Sequence, residues 1–224
     1  MKKNAFFTAM IIMSCLFFSH TDARAQSEPA KSEATEYEIG VQFSSLSLDG
    51  YQIRTKPGLG SRFAFNLNNN LALETQTDFF PDNERFSGFR NTGRAFQGLF
   101  GVKAGKRWSN FGIFGKARPG FITFTRGVSD IVITGAPAAE GGLPLFIIRP
   151  RRLTHFAVDV GGALEFYVSR RILTRFDAGG LIIRSGATTV QTFTSIDPFV
   201  IAPQRIVGET TINFQFSAGI GYRF

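Results

Sequence analysis

The chain has 224 residues, 43% hydrophobic and 19% charged, with a mean hydropathy of +0.02 and a formal net charge of +8. That length suits one domain, and that balance excludes both a bundle of membrane helices and a disordered chain. With 26 Phe against 1 Trp and 4 Tyr, and with 24 Gly, the composition is one of strands and tight turns.

Lys2 and Lys3 precede an apolar run from Ala5 to Phe18, and Ala23-Arg24-Ala25 supplies the small residues read by a signal peptidase. Residues 1–25 are therefore expected to be a cleaved signal peptide, with residues 26–35 a flexible N-terminal segment. The run is shorter than the about 20 residues a membrane-spanning helix needs. A lipoprotein signal is the alternative, since Ile12-Met13-Ser14 precedes Cys15, but Leu16-Phe17-Phe18 keep the segment apolar past the cysteine. Cys15 is the only cysteine, so the remaining chain has no disulfide, thiol or zinc-thiolate chemistry. Lys2, Lys3 and Arg24 against Asp22 give the signal a net +2, which leaves +6 for the rest. Those charges are dispersed among acids and Phe, with no basic tract to follow a phosphate backbone, so nucleic acid is not an expected partner.

From residue 36 onward the sequence alternates with a period of two, the mark of strands with one apolar face. In chain order the apolar phases are Tyr37-Ile39-Val41-Phe43; Leu59, Phe63, Phe65 and Leu67; Leu71, Leu73 and Phe79; Phe96, Phe100, Val102 and Ala104; Phe111, Ile113, Ala117 and Phe121. Phe156, Val158, Val160, Leu164 and Phe166 form the sixth, and Thr174, Phe176, Ala178 and Ile182 the weaker seventh. Ile212, Phe214, Phe216, Ala218, Ile220, Tyr222 and Phe224 form the last, alternating with Asn213, Gln215, Ser217, Gly219, Gly221 and Arg223. The links alternate too. Short ones fall at Asn68 to Asn70, Lys106 to Asn110 and Ser169 to Arg171, and long ones near 45–57, 81–94, 126–153 and 184–209. That pattern predicts an all-β, eight-stranded antiparallel up-and-down transmembrane β-barrel with short periplasmic turns and long extracellular loops, over residues 36–224. In lipid the strands must close, because every backbone N–H and C=O needs a partner. A secreted lipocalin or sandwich is the soluble alternative, with the oily face inside. Pro119, which removes a ladder donor, is expected near the outer rim, where pairing lapses.

The signal segment, the eight alternating strands and the closing Phe216 to Phe224 segment with its terminal aromatic resemble the OmpA/OmpX-like outer-membrane β-barrel superfamily. The resemblance implies the outer membrane of a Gram-negative-type envelope and contact with outer-membrane lipid and lipopolysaccharide. It also implies recognition by the barrel-assembly machinery through the last strand, with Tyr222 and Phe224 as the signal. Two features depart from the family: the aromatic girdle is Phe-rich, and no peptidoglycan-binding domain follows Phe224, so anchoring through one is not expected.

The polar phase assigns Glu38, Glu74, Asp78, Asp159, Glu165 and Asp177 to the lumen, with Arg62, Lys103, Lys116, Arg118, Arg175 and Arg223. An eight-stranded interior is just wide enough for side chains to fill, so these twelve are read as a paired ionic core, with a small porin-like channel as the alternative. After signal removal His155 is the only histidine, which rules out a two-histidine metal site. Ser129, Asp130 and Ser185 lie in neighbouring links without a nucleophile motif, so a lipid-modifying enzyme is the weakest reading and His155 is expected at the rim. No catalytic, cofactor-binding or metal-ligating residue is assigned, and no cofactor. The third link is oddly apolar (Ile131-Val132-Ile133, Leu145-Phe146-Ile147-Ile148), as is the fourth (Val190, Phe193, Ile196, Phe199, Ile201). Both are read either as strands prolonged above the membrane or as a surface where an extracellular ligand joins. Arg149, Arg151 and Arg152 are candidates for lipopolysaccharide phosphates or for interfacial anchors.

Overall fold

The computed structural model describes residues 37–49, 54–81, 90–137, 144–196 and 199–224. The expected signal peptide (1–25) and flexible segment (26–35) lie outside the described residues. Ten strands follow in chain order: β1 (Tyr37–Leu48), β2 (Arg54–Asn66), β3 (Leu71–Phe80), β4 (Arg90–Arg107), β5 (Phe111–Pro137), β6 (Pro144–Tyr167), β7 (Ile172–Ser185), β8 (Thr188–Ile196), β9 (Phe199–Ile206) and β10 (Glu209–Arg223). Eight of them close a barrel in the order β1-β10-β7-β6-β5-β4-β3-β2, and β8 and β9 form a separate two-stranded sheet. Closure is antiparallel between first and last strands, from Glu38 opposite Arg223 to Ser47 opposite Phe214. The Phe224 N–H, donating to the Tyr37 carbonyl at 3.0 Å, finishes the seam.

The turns follow from their side chains. Asn68 Oδ1 accepts from the Asn70 and Leu71 N–H groups at 2.8 Å each, and Ser169 Oγ accepts from those of Arg171 and Ile172 at 3.2 and 3.0 Å. Both are side-chain mimics of a turn carbonyl, which Asn and Ser favour.

The polarity of the wall is inverted. Ile39, Val41, Leu59, Phe100, Ile113, Phe214 and Ile220 are all exposed on the outside, while the twelve predicted lumen charges are all buried. A water-soluble lipocalin or sandwich would have the reverse distribution, so that alternative is set aside. A closed sheet with an apolar exterior and a polar interior is the arrangement a bilayer requires.

One expectation changes, and for the third and fourth links the structure shows the prolonged-strand reading. Pro119 sits in the middle of β5 opposite Val158, and β5–β6 pairing runs on to Pro137 opposite Pro144 with two register shifts, so the ladder does not lapse beyond the proline. The third link is mostly strand: β5 and β6 extend as a paired hairpin, leaving residues 138–143 outside the described residues. The fourth is the β8–β9 hairpin, Thr188 opposite Ile206 through Ile196 opposite Phe199. The side chains of Ile131, Ile133, Leu145, Phe146 and Ile148, and of Phe193, Ile196, Phe199 and Ile201, lie outside the described ones. Gly93 has φ of 76° where the β4–β5 register shifts between Thr92 and Ala95, a bulge geometry that favours glycine. Gly101 is required by space instead, since a Cβ there would lie 2.1 Å from the Ala117 carbonyl oxygen.

Phe100 tests the inverted wall. Phe100→Arg is expected to destabilise the barrel by about 2–4 kcal/mol in a bilayer, the penalty for a cation on a lipid-facing midplane position. Urea titration of the folded band in vesicles reads it; an unchanged midpoint contradicts a lipid-facing Phe100.

Candidate functional site

Because side chains alternate, each strand sends every second residue inward, and the described lumen residues stack in three layers. The layer nearest the turns is ionic and centred on Arg175, fully buried on β7. Its guanidinium contacts Glu74 through both terminal nitrogens, one of them at 3.0 Å. It also reaches Asp177 at 2.7 Å and Glu165 at 3.4 Å. Each of those carboxylates has further cations. Glu74 meets Lys103 and Arg118, both at 3.4 Å. Glu165 meets Lys103 at 2.5 Å and Arg223 at 3.3 Å, and Asp177 meets Lys116 at 3.2 Å. Arg118 holds Asp159 through Nε and Nη2 at 2.9 and 2.5 Å, and Lys116 adds a contact at 3.1 Å. Arg62 pairs with Glu38 at 3.3 Å. All twelve predicted charges therefore meet in the lumen, and eleven of them form ion pairs with one another.

Asp78 is the twelfth, and among the described residues its partners are neutral. It accepts from Ser44 at 2.5 Å, Gln42 at 2.9 Å and Gln76 at 2.7 Å. Both glutamines are relays. Gln42 Oε1 accepts from Arg62 at 3.3 Å and Gln76 Oε1 from Arg118 at 2.7 Å. Each amide thus passes a cation's field on to Asp78. A Gln97–Gln215 hydrogen bond of 3.1 Å spans the lumen in this amide layer.

Above it the lumen turns apolar. Leu46, Phe80, Leu99, Ile122, Phe124, Leu181 and Ile183, with Ala95 and Ala157, form one buried cluster. Sequence reasoning missed this layer, although adjacent apolar pairs such as Phe79-Phe80 and Leu181-Ile182-Ile183 carried its signal: two successive apolar residues in a strand place one on each face. It also missed Lys56, buried and donating to the Gly93 carbonyl at 3.2 Å, and Arg107, which reaches Tyr167 Oη at 3.0 Å and Glu165 at 3.7 Å. Parity with Arg62 and Lys103 would have found both. Tyr167 lies beneath the Arg223 guanidinium, 4.1 Å from ring centre, at the mouth by the turns.

His155 is not at the rim. It is buried on the lumen side of β6, opposite Ile122 and 6.0 Å from the Phe124 ring. Ser185 is buried at the end of β7. Asp130 is engaged by Arg151 at 3.7 Å and by the Gln191 N–H at 3.3 Å, while the Ser129 side chain is outside the described ones. Arg151 also donates to Thr188 Oγ1 and the Thr189 carbonyl, each at 3.0 Å. These contacts fasten the β8–β9 hairpin to the β5–β6 extension. Among the described residues no group of three or more His, Cys, Asp or Glu side chains is placed to hold a metal.

No family model matches this sequence, and no curated protein sequence does. Three similar solved structures are Neisserial surface protein A (12% identity, TM-score 0.49, 84% of this chain and 97% of that one), Ail, the attachment invasion locus protein of Yersinia pestis (14%, 0.43, 84% and 96%), and the N-terminal β-barrel domain of Pseudomonas aeruginosa OprF (7%, 0.39, 84% and 97%). The fold assignment rests on the closed register of this chain itself.

Removing the hub tests the ionic layer. Arg175→Ala is expected to destabilise by about 3–5 kcal/mol, because Glu74 and Asp177 keep buried charges with too few partners, whereas Arg205→Ala on the exposed hairpin should change little. Unfolding midpoints of the two variants measured side by side decide it; equal midpoints refute the network.

Proposed function

We propose that this chain is an integral outer-membrane β-barrel of a Gram-negative-type envelope with a structural or surface-interaction role. Its short turns face the periplasm, and the β5–β6 extension and β8–β9 hairpin project outside. The observation that carries this reading is the inverted wall around a filled lumen. A small porin-like channel needs a continuous water path, and the ionic layer and the apolar layer above it both oppose one. A lipid-modifying enzyme would need its histidine where lipid can reach it, and His155 points into the lumen. Outer-membrane lipid and lipopolysaccharide surround the barrel in this reading. The assembly machinery reads the strand ending at Phe224, whose backbone closes the seam on Tyr37. An extracellular ligand joins at the β5–β6 extension and β8–β9 hairpin, where Ile147 is an exposed apolar side chain.

Fractionation with heat-modifiable gel mobility tests the location: the processed protein is expected in the outer-membrane fraction, with unboiled and boiled samples migrating differently. A soluble periplasmic protein without that shift overturns the reading.

Replacing residues 129–148 by a short Gly/Ser loop tests the surface role. The heat-modifiable band should persist, since the register from Phe124 opposite Leu153 down to Phe111 opposite Phe166 is untouched, while adhesion by cells displaying the protein is lost. Unchanged adhesion reduces the extension to packed structure.

A further inference from the structure

β4 and β6, which flank β5, and β7 next to β6 carry arginines on the outward face beyond Phe96, Phe156 and Ile182. Arg94 stands two residues beyond Phe96, Arg184 two beyond Ile182, and Arg152 four beyond Phe156. All three are exposed, and none has an ion-pair or hydrogen-bond partner among the described residues. The register ties them into one section of wall. Phe96 lies opposite Thr123 on β5, Thr123 opposite Thr154, Phe121 opposite Phe156, and Phe156 opposite Arg184. Thr123 and Thr154 share a hydrogen bond of 2.9 Å between their hydroxyls, on the outward phase between Arg94 and Arg184. With strands tilted by about 35–45°, positions offset by a few residues across the ladder come to the same height, so the arginines and threonines form a short belt above an aromatic row. From β4 to β7 the belt crosses three strand spacings of about 4.8 Å each.

Among the described residues the opposite wall has no such feature. At the same end of β1 and β2 the outward positions are Ser45, Ser47, Thr55 and Pro57, and Ser47 bonds Thr55 at 3.0 Å. A general interfacial anchor would ring the barrel, whereas among the described residues this one is confined to a single side. Nearby carboxylates do not neutralise it: Asp130 is held by Arg151, and Glu209 opposite Ser185 belongs to the lumen-facing phase.

We propose that Arg94, Arg152 and Arg184 form a binding site for the phosphate groups of a phosphorylated glycolipid in the outer leaflet, with the Thr123–Thr154 hydroxyl pair at its centre. This deepens the outer-membrane reading above and rests on it. The aromatic row marks where hydrocarbon ends, so the guanidinium groups lie at headgroup depth. A guanidinium presents a planar fork that binds phosphate through two parallel hydrogen bonds, and a phosphomonoester carries about −1.5 to −2 charges at neutral pH. Three cations along one belt therefore favour phosphomonoesters over singly charged phosphodiesters. The assignment also moves the site away from Arg151, which is spent on the β8–β9 hairpin.

The test uses the full chain folded into phosphatidylcholine vesicles doped with labelled bis-phosphorylated lipid A or its dephosphorylated form, then purified, with label retained by the heat-modifiable band as readout. The phosphorylated form should be retained at least about tenfold more, the scale of one or two charge-assisted hydrogen bonds. The triple variant R94Q/R152Q/R184Q should abolish that preference, R94K/R152K/R184K should keep part of it, and R205Q should keep all of it. Equal retention of the two lipids, or a full preference in the triple glutamine variant, overturns the site. Loss of the label to millimolar inorganic phosphate overturns the glycolipid as ligand and leaves a soluble phosphate in its place. A chain that gives no heat-modifiable band overturns the barrel reading, and the belt with it.

Discussion

Hydrocarbon offers no hydrogen bonds, and that fact governs the rest of this molecule. Every peptide group in the wall needs a partner within the chain, so β1 must find β10, and the register from Glu38–Arg223 to Ser47–Phe214 is the result. Closure with eight strands leaves an interior only as wide as the side chains that fill it. Lipid claims the apolar phase of each strand, so the phase left for the interior is the polar one. Charges confined there must pair almost completely, because an isolated ion in such a place is prohibitively unfavourable. Arg175, touching three carboxylates at once, is the outcome of that chain of constraints.

The pairing is not uniform along the axis. Near the turns it is ionic, then it passes through amides, and finally it becomes apolar. Gln42 and Gln76 join the first two zones: each accepts from an arginine and donates to Asp78, so a carboxylate distant from any cation is still stabilised. A neutral residue of the same length with only one polar function would satisfy one side of that relay and orphan the other.

The sequence made the face of each residue legible but not its height or its long-range partners. A period of two states which residues share a side, and it places on the inner side the same twelve charges that the structure buries. It does not say that Glu74 of β3 meets Arg175 of β7 across the lumen, because that pairing depends on closure. The apolar lumen layer was hidden because an inward-facing apolar residue looks like a fault in the alternation. The pattern puts His155 at the rim because the alternation becomes regular only at Phe156, whereas the strand starts at Pro144. Pro119 shares that cause: sequence rules place the membrane band well, but nothing in a dyad pattern marks where lipid ends while the strand continues.

The graded lumen also gives each hairpin a direction of travel. A hairpin crossing a bilayer from the side of the short turns leads with its far end, and on the lumen-facing phase that end is Leu46, Phe80, Ile122, Leu181 and their neighbours. The residues that are hardest to dehydrate, Glu38, Glu165, Arg175 and Arg223, trail at the near end. They need never pass the middle of the bilayer before their partners arrive. Lys56, opposite Leu46 at the leading end, is an exception; for the charges near the turns the layering separates the work of translocation from the work of charge burial, and lets the second occur at the moment the wall closes.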